Sequence, residues 1–440
     1  MLAVLRHVGA LRLLCGCSLQ QAVLAGISSR ALGSVNPATR KAQLLAVLAA
    51  ALGYFVDLYD IVLFGVVRVA SLRELGLDGA ANTDWGIALL NLQMSGMLIG
   101  GVFWGWFGDR YGRRQALIAT IALYSLANIA NAYVSSVEQY ALLRLLAGIG
   151  LAGELGAGIT LISESLPRRL RGYGTTLISF LGLVGALAAS YAGQWLPWRT
   201  AYLLGGGAGL LVLLLRLQVL SESPLFLRER GLPGVRGGEG LRRLLGSRRL
   251  RRRFLAVTWI GVPIWYASAL FVNFAPEYGK ALGHAQPLLV GEALRWQALG
   301  LALGSGCSGL VSEWLRSRRR VLAVALLALL ALSLGLMRSD GPERYCQLLF
   351  LIGLAQGYWT VFVTLAAEQF GTNLRATVTT IVPNLVRAAT VPVTLGVKLL
   401  WPLLGLVSAT LVIGGLVFAL ALLALRRLPE SYGRDLDYRD

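Results

Sequence analysis

Acidic residues are scarce in this chain. There are 22 among 440 residues, against 41 basic ones, and none precedes Asp57. Histidine is nearly absent, with His7 in an expected tail and His284 in an expected loop. No metal-ligand cluster and no nucleophile–base–acid arrangement can be assembled from so few groups, so an enzyme is not expected. The four cysteines (Cys15, Cys17, Cys307 and Cys346) make neither a disulfide framework nor a metal spacing. The basic, apolar stretch before Cys15 is interrupted by Arg12, which argues against a lipoprotein signal. A nucleotide loop is missing too. The glycine spacing of Gly148–Gly156 lies inside an apolar run with no strand before it, so no dinucleotide fold and no cofactor are expected.

Charge of either sign is thin. Charged residues make up 14% of the chain, against about a quarter in soluble proteins. Hydrophobic residues make up 56%, too many for a soluble chain of this length to cover with polar surface. The net charge of +19 comes almost wholly from Arg, which supplies 38 of the basic residues. The arginines sit in short runs between apolar segments, the pattern of loops at an anionic membrane face rather than of a nucleic-acid surface.

Against these absences stands a duplication. Gly105–Arg114 reads GWFGDRYGRR, and Gly309–Arg318 reads GLVSEWLRSR; Asp109 and Glu313 are 204 residues apart. The same offset joins ESLPRRLRG at Glu164–Gly172 to EQFGTNLRA at Glu368–Ala376, and with it Arg171 to Arg375. SESP around Glu222 and LPES around Glu430 form a third pair, offset by 208. Three pairs in the same order mean one apolar unit, duplicated, the architecture of secondary transporters.

A membrane helix needs about twenty apolar residues. Segments at 42–67, 86–107, 115–134, 138–163, 174–194, 199–219, 254–275, 289–311, 320–337, 343–366, 378–399 and 402–425 qualify. The expected fold is therefore all-α and integral to the membrane, with twelve transmembrane helices in two six-helix pseudo-repeats. A leader at 1–41 is followed by a bundle at 42–219, a basic linker at 220–253, a second bundle at 254–427 and a tail at 428–440. Small residues at fourfold spacing (Gly96/Gly100, Gly101/Gly105, Gly148/Ala152/Gly156, Gly185/Ala189/Gly193) predict close helix approach. Arg110, Arg113 and Arg114, then Arg168, Arg169 and Arg171, then Arg316, Arg318, Arg319 and Arg320 mark the even-to-odd connections as cytoplasmic. Both termini are then cytoplasmic. The acid-free start resembles a transit peptide, but a disordered leader or sequence upstream of the true start is favoured.

The residues of loop 2–3 carry a resemblance. GWFGDRYGRR resembles the signature of the major facilitator superfamily. In the first span, Gly53-Tyr-Phe-Val-Asp57-Leu-Tyr59-Asp60 followed by Phe64-Gly65 resembles a pattern of metabolite:proton symporters. Asp57, Leu58 and Tyr54 stand where that pattern has Glu, Trp and Asn. Arg144–Gly158 resembles both those symporters and the sugar porters, as do ESLPRRLRG and SESPLFL. The second-half loop 8–9 copy departs from the signature, with Glu313 for Asp and Arg316 where Gly is expected. The resemblance implies a secondary transporter of a small polar metabolite, an organic acid or zwitterion favoured, working by alternating access with proton symport. A sugar/proton symporter or a uniporter of the same fold is the alternative, and a non-transporting sensor a reading from another class. The partners implied are a small molecule, protons and the lipid bilayer, with no nucleic acid. The chain is expected to be a monomer of the plasma (inner) membrane.

The resemblance also implies a cytoplasmic gate. Gly105, Asp109, Arg110, Gly112, Arg113 and Arg114 latch against Glu164, Arg171 and Glu222, with Glu313, Glu368 and Arg375 in the second copy. For proton coupling the candidates are Asp57, Asp60, Arg144 and Glu154. An acid inside a span costs about 2.5–3.5 kcal/mol on insertion scales, and Asp57 and Asp60 share one helix face. At about 1.5 Å per residue, Asp60 lies roughly 27 Å from the cytoplasmic end and Arg144 roughly 9 Å from the outer end, so they can meet. In the sugar porters such an aspartate and arginine form a proton-linked pair; carried over, they are Asp60 and Arg144. Glu154, ten residues along the fourth span, either lines the cavity or caps a structural network.

Arg387 lies roughly 14 Å into the eleventh span, near the midplane. No acid stands beside it within that span or the middle of the tenth, so it takes a substrate carboxylate, a helix carbonyl or an acid from elsewhere. Asn91, Gln93, Trp265, Tyr266, Asn273, Gln356, Tyr358, Trp359 and Asn384 are expected to line a mixed apolar and hydrogen-bonding cavity with it.

Overall fold

The computed structural model describes residues 37–154, 171–219 and 239–433. Residues 1–36 of the expected leader, the last part of the fourth span, Glu164, Glu222 and the end of the tail lie outside them. By contacts the chain divides into Met1–Leu45 and Ala46–Asp440, and the second unit contains every membrane-length segment.

The first half runs α1 (Pro37–Glu74), α2 (Gly79–Tyr111), α3 (Arg113–Asn131), α4 (Val137–Leu151), α5 (Arg171–Trp195) and α6 (Trp198–Val219). After α7 (Glu239–Gly246), the second half runs α8 (Arg248–Ala267) with a π-turn at Ser268–Val272, α9 (Ala275–Ala281), α10 (Val290–Trp314) and α11 (Arg318–Leu336). It continues through α12 (Pro342–Gln356), α13 (Trp359–Glu368), α14 (Thr372–Ala388), α15 (Thr390–Leu404) and α16 (Leu406–Arg427). Among the described residues no strand occurs. Eight segments there are long and apolar enough to cross a membrane by themselves. The remaining four expected spans are α3, α4, α5 and α10. Polar residues in α3, and Gly, Ser and the charges of Glu292, Arg295 and Glu313 in α10, dilute their apolarity, while α4 is described over only 15 residues and several side chains of α5 lie outside the described set.

Some boundaries differ from the sequence expectation. The segment expected to be linker carries α7, and Ser247 then caps α8 by accepting the Leu250 N–H at 3.5 Å, so the seventh span begins at Arg248. Pairs α12/α13 and α14/α15 are single spans with one loosened turn each, at Gly357–Tyr358 and at Ala389, where the backbone stays right-handed helical. Gly112, at φ 109°, makes the tight turn between α2 and α3, a conformation that a Cβ would obstruct.

The duplication is built into the packing. A Cβ on Gly96 would strike the Leu145 carbonyl, on Gly100 the Ile149 carbonyl, and on Gly148 the Gln93 carbonyl, so α2 and α4 touch backbone to backbone. In the second half Gly300 meets the Phe350 carbonyl, Gly304 that of Leu354 and Gly353 that of Gln297, locking α10 to α12. Gly300 and Gly304 follow Gly96 and Gly100 by 204 residues, and Gly353 follows Gly148 by 205. Lipid gives no hydrophobic reward for helix pairing, so this close dispersion contact is what holds each pair together.

Candidate functional site

Helix α1 is the axis of the site. Four charged clusters are strung along it, at Arg68, Asp60, Asp57 and, beside Gly53, the pair Glu154–Arg216. Each recruits a different set of neighbouring helices.

Asp60 is fully buried, and Arg144 Nη1 of α4 lies 3.7 Å from its Oδ1. That is an ion-pair distance but too long for a hydrogen bond. Arg144 donates its hydrogen bond instead to the Tyr202 hydroxyl of α6, at 3.1 Å, and its guanidinium sits over the Phe64 ring at 5.1 Å. Asn128 of α3 also faces Asp60.

Asp57 lies one turn deeper. It is fully buried, and neither carboxylate oxygen has a hydrogen-bond partner among the described residues. Its strongest charged neighbour is Arg387 of α14, from the other half of the chain, and Tyr54 of α1 faces the same guanidinium. Arg387 is buried too; its Nε and Nη1 have no partner among the described residues, and the group lies over the Trp265 ring at 5.7 Å. No acid lies in the span of Arg387; the acid that acts on it electrostatically is Asp57 of α1, without a hydrogen bond to it. Local sequence cannot show a partner contributed by the other half. An ammonium or guanidinium this deep is stable only beside an anion.

Glu154, just past α4, is held tightly. Its Oε1 accepts from Arg216 Nη1 at 2.7 Å and Thr120 Oγ1 at 3.0 Å, and its Oε2 accepts from Arg216 Nη2 at 2.8 Å. Arg216 also donates to the carbonyls of Leu117 at 3.0 Å and Ala49 at 3.4 Å, so one buried pair fastens α1, α3 and α6. Gly53 exists to admit that guanidinium; a Cβ there would overlap Arg216 Nη2. Arg216 was legible as a lone Arg in an apolar run, but its partner was not.

At the end remote from the Arg-rich turns, the end expected from the arginine pattern to face outward, the two halves are joined. Arg68 Nη2 donates to Glu277 Oε1 at 2.6 Å and to the Asn273 carbonyl at 3.2 Å, while its guanidinium covers Phe274 at 4.6 Å. Lys398 pairs with Asp84 at 2.7 Å, Arg295 with Gln194 at 2.6 Å, and Ser190 donates to the Gly291 carbonyl at 2.8 Å. Arg68 falls just past the expected first span at 42–67, yet it lies within α1 and is buried.

The expected cavity residues separate into two groups. Asn91 accepts from Thr394 at 2.7 Å, and Asn384 donates to the Ala152 carbonyl at 2.9 Å, so both bridge the halves; Gln93 is buried with no side-chain partner among the described residues. Trp265 lies under Arg387, and Trp359 is half-buried against Phe362. The others turn to hold helices. Tyr266 donates to the Thr410 carbonyl at 3.0 Å, Tyr358 to that of Ile260 at 2.8 Å, and Asn273 to that of Ser268 at 3.3 Å. Gln356 donates to the Ile264 carbonyl and accepts from Gln297, each at 2.8 Å.

At the Arg-rich end, Arg110 lies over Trp106 and Tyr111, at 5.7 and 5.6 Å, Arg114 donates to the Leu217 carbonyl at 3.3 Å, and Gly105 faces open space. Asp109, Arg113 and Arg171 lie on helices, but their side chains are outside the described set. In the second copy Arg318 pairs with Glu313 at 2.8 Å and Glu368 at 3.4 Å; Arg375 donates to the Ala367 carbonyl at 3.0 Å. Glu430 accepts from Ser317 and from the backbone N–H groups of Arg318, Arg319, Ser431 and Tyr432. Burial pushes its carboxyl up, but those hydrogen bonds outweigh burial and leave it below the usual carboxylate range.

Residues 50–391 match the Major Facilitator Superfamily. The chain belongs to that superfamily. It is 28% identical over 414 residues to the gentisate transporter of Corynebacterium glutamicum, with 89% of each chain covered. It is 30% identical over 184 residues to the niacin transporter NiaP of Acinetobacter baylyi. It is also 32% identical over 195 residues to the 4-hydroxybenzoate transporter PcaK of Pseudomonas aeruginosa. The chain spans 41% of NiaP and 42% of PcaK. Among solved structures, a D-xylose-proton symporter superposes with a TM-score of 0.69 at 18% identity, covering 89% of this chain and 99% of that one. A bacterial homolog of the human lysosomal transporter Spinster, inward-facing and unoccupied, gives 0.65 at 15%, covering 89% and 98%. These two likenesses show the twelve-helix fold of the superfamily. Membership places the chain among multi-pass membrane transporters rather than enzymes.

Proposed function

We propose that this superfamily member carries a small organic acid across the plasma (inner) membrane together with protons, by alternating access, as a monomer with cytoplasmic termini. The observation that carries the reading is Arg387. It is a buried guanidinium with open donors, set over an aromatic ring and facing Asp57. A guanidinium fork binds a carboxylate through two parallel hydrogen bonds, and Trp265 offers an aromatic substrate a flat wall. Gentisate and 4-hydroxybenzoate, named for two relatives, are both aromatic carboxylates.

Charge balance supplies the coupling. With Asp57 ionised, Arg387 is already neutralised, and an incoming carboxylate would leave one excess negative charge in a low-dielectric site. A proton on Asp57 removes that excess, so carboxylate and proton enter together. Asp60 with Arg144 forms a second proton-responsive pair, which sets conformation instead of touching substrate. Glu154 with Arg216 fastens the first bundle as a rigid body. Asp109, Arg110, Arg113 and Arg114, with Glu164, Glu222 and Arg171, and Glu313, Glu368 and Arg375 in the second copy, form the cytoplasmic gate.

Uptake into proteoliposomes tests the reading. Asp60→Asn is expected to lose gradient-driven accumulation while still exchanging substrate across the membrane. A thermal-shift series of monocarboxylates, dicarboxylates, betaines and hexoses is expected to show stabilisation by aromatic monocarboxylates that Arg387→Gln removes. Stabilisation by a neutral hexose that survives Arg387→Gln, with no response to any acid, would contradict it.

A further inference from the structure

Between the Asp60–Arg144 pair and the outer lock runs an unbroken line of buried hydroxyls. Arg144 Nη1 donates to the Tyr202 hydroxyl at 3.1 Å. The Tyr202 and Tyr140 hydroxyls are 2.7 Å apart, and Tyr140 lies 3.4 Å from Ser71 Oγ. Ser71 Oγ in turn donates to the Arg68 carbonyl at 3.1 Å. All three hydroxyl residues are fully buried.

The chemistry of the two ends fixes the direction of every bond. A guanidinium only donates, so Tyr202 accepts from Arg144 and keeps its own proton free for Tyr140, whose proton is needed at Ser71. Ser71 has committed its proton to a carbonyl, which only accepts, so Tyr140 donates to Ser71. The chain is polarised one way, from the Arg144 guanidinium to the backbone of Arg68. Arg68 is the residue whose side chain locks α1 to Glu277 and Asn273 of the other half.

We propose that Tyr202, Tyr140 and Ser71 form a hydroxyl relay through which the proton state of Asp60 sets the outer lock. This rests on the reading of Asp60 as a coupling carboxylate. The relay passes orientation and not a proton, so no bond is broken along it. In the closed arrangement Arg144 gives its hydrogen bond to Tyr202 and keeps only an ion-pair distance to Asp60. An ionised Asp60 draws the guanidinium, whose Nε and Nη2 are also without a partner among the described residues, toward itself and so away from the Tyr202 hydroxyl. Tyr202 then loses its anchor, the hydroxyls reorient, and the carbonyl at Arg68 is released. A protonated Asp60 makes no such demand and leaves the relay intact. Loading a proton therefore holds the outer end shut, which is what a symporter that carries protons inward requires before its inner end opens.

Other groups around Asp60 fit this division. Tyr140 stands with Arg144 on α4, Tyr202 on α6, Asn128 and Tyr124 on α3, and Tyr59 and Asp57 on α1 itself. Arg144 is the one cation acting on Asp60 among the described residues. Glu154, Arg216 and Arg387 act on Asp57 instead.

Ser190 offers a reporter of the outer end. It is buried, and it bonds the Gly291 carbonyl across the halves, so Ser190→Cys in an otherwise cysteine-free chain is shielded while that end is shut. Its labelling by a bulky, membrane-impermeant maleimide is measured on the purified full chain at about pH 5.5 and about pH 8, as a ratio to a free thiol. In the parent, labelling is expected to be about five- to tenfold slower at the acid pH, the lower range of coupling between sites. Asp60→Asn should be slow at both. Tyr202→Phe and Tyr140→Phe, which keep the rings and remove the hydroxyls, should each reduce the ratio to within about twofold. Glu277→Gln should be fast at both. If both Phe variants keep the parental ratio while Asp60→Asn loses it, the relay is wrong and the coupling role of Asp60 stands. If Asp60→Asn keeps the parental ratio, the reading of Asp60 fails and the relay with it. A parent whose labelling ignores pH overturns the relay outright.

Discussion

The two halves are built alike and charged differently. Gly96, Gly100 and Gly148 press α2 onto α4 in the way that Gly300, Gly304 and Gly353 press α10 onto α12. Gln93 in the first half corresponds to Gln297 in the second. Around that shared packing, the first half buries Asp57, Asp60, Arg68, Arg144, Glu154 and Arg216. At matching depth, the second half has Leu349 where the first has Arg144 and Trp359 where it has Glu154, each 205 residues on. Its polar contacts there are neutral, with Gln297, Gln356 and Ser268 bonded to one another between α8, α10 and α12. Its buried charge among the described residues is Arg387, which faces an acid of the first half. Duplication supplied a frame, and charge then distinguished the halves; on the function proposed above, one half senses protons and the other presents a cation to the substrate.

Removing one member of a charged pair in the first half should cost most. Glu154→Gln leaves Arg216 buried without its counter-charge, a loss of about 3–5 kcal/mol, read as a lower unfolding temperature in detergent. A loss no greater than that of a surface substitution would mean the pair is solvated. In the neutral half the matching operation should cost less. Gln356→Leu forfeits the bond from Gln297 and the bond to the Ile264 carbonyl, about 1–3 kcal/mol on the same scale.

Substitutions in the shared frame should make the halves look alike. Gly100→Ala and Gly304→Ala each push a methyl into a facing carbonyl, of Ile149 and of Leu354, and each should cost about 1–3 kcal/mol. A large cost in only one half would show that the close packing is not equivalent. Smallest is Arg316→Gly. Arg316 stands 204 residues after Gly112 and holds φ at 47° without being glycine. Restoring glycine there should raise stability by about 1 kcal/mol, measured as a small rise in the same unfolding temperature.

What could be read in the sequence was whatever repeats or stands out locally. The duplicated motifs gave the architecture, and acids inside apolar runs gave Asp57 and Asp60. The count of residues from each span's end put Asp60 and Arg144 in the same outer half, the family resemblance paired them, and the structure sets them 3.7 Å apart. Pairings between the two halves were not legible, because they depend on how each helix is rotated. Arg387 and Asp57 are 330 residues apart, and no local pattern joins them. Tyr266, Tyr358 and Asn273 were expected in the cavity on residue type alone. Their polar atoms are spent on carbonyls of neighbouring turns and helices, the ordinary fate of a polar group in lipid. Tyr140 and Tyr202 escaped notice because a buried tyrosine in an apolar span reads as packing until its hydroxyl is seen to touch another.

The central claim is that a proton on Asp57 accompanies the carboxylate that takes Arg387. It is tested most directly by counting protons taken up when an aromatic carboxylate binds the purified protein, in weakly buffered solution with a pH dye. At a pH where Asp57 starts ionised, about one proton per bound carboxylate is expected in the parent and none in Asp57→Asn, by proton linkage. Carboxylate binding to the parent at every pH with no proton uptake, and unchanged in Asp57→Asn, would contradict the account.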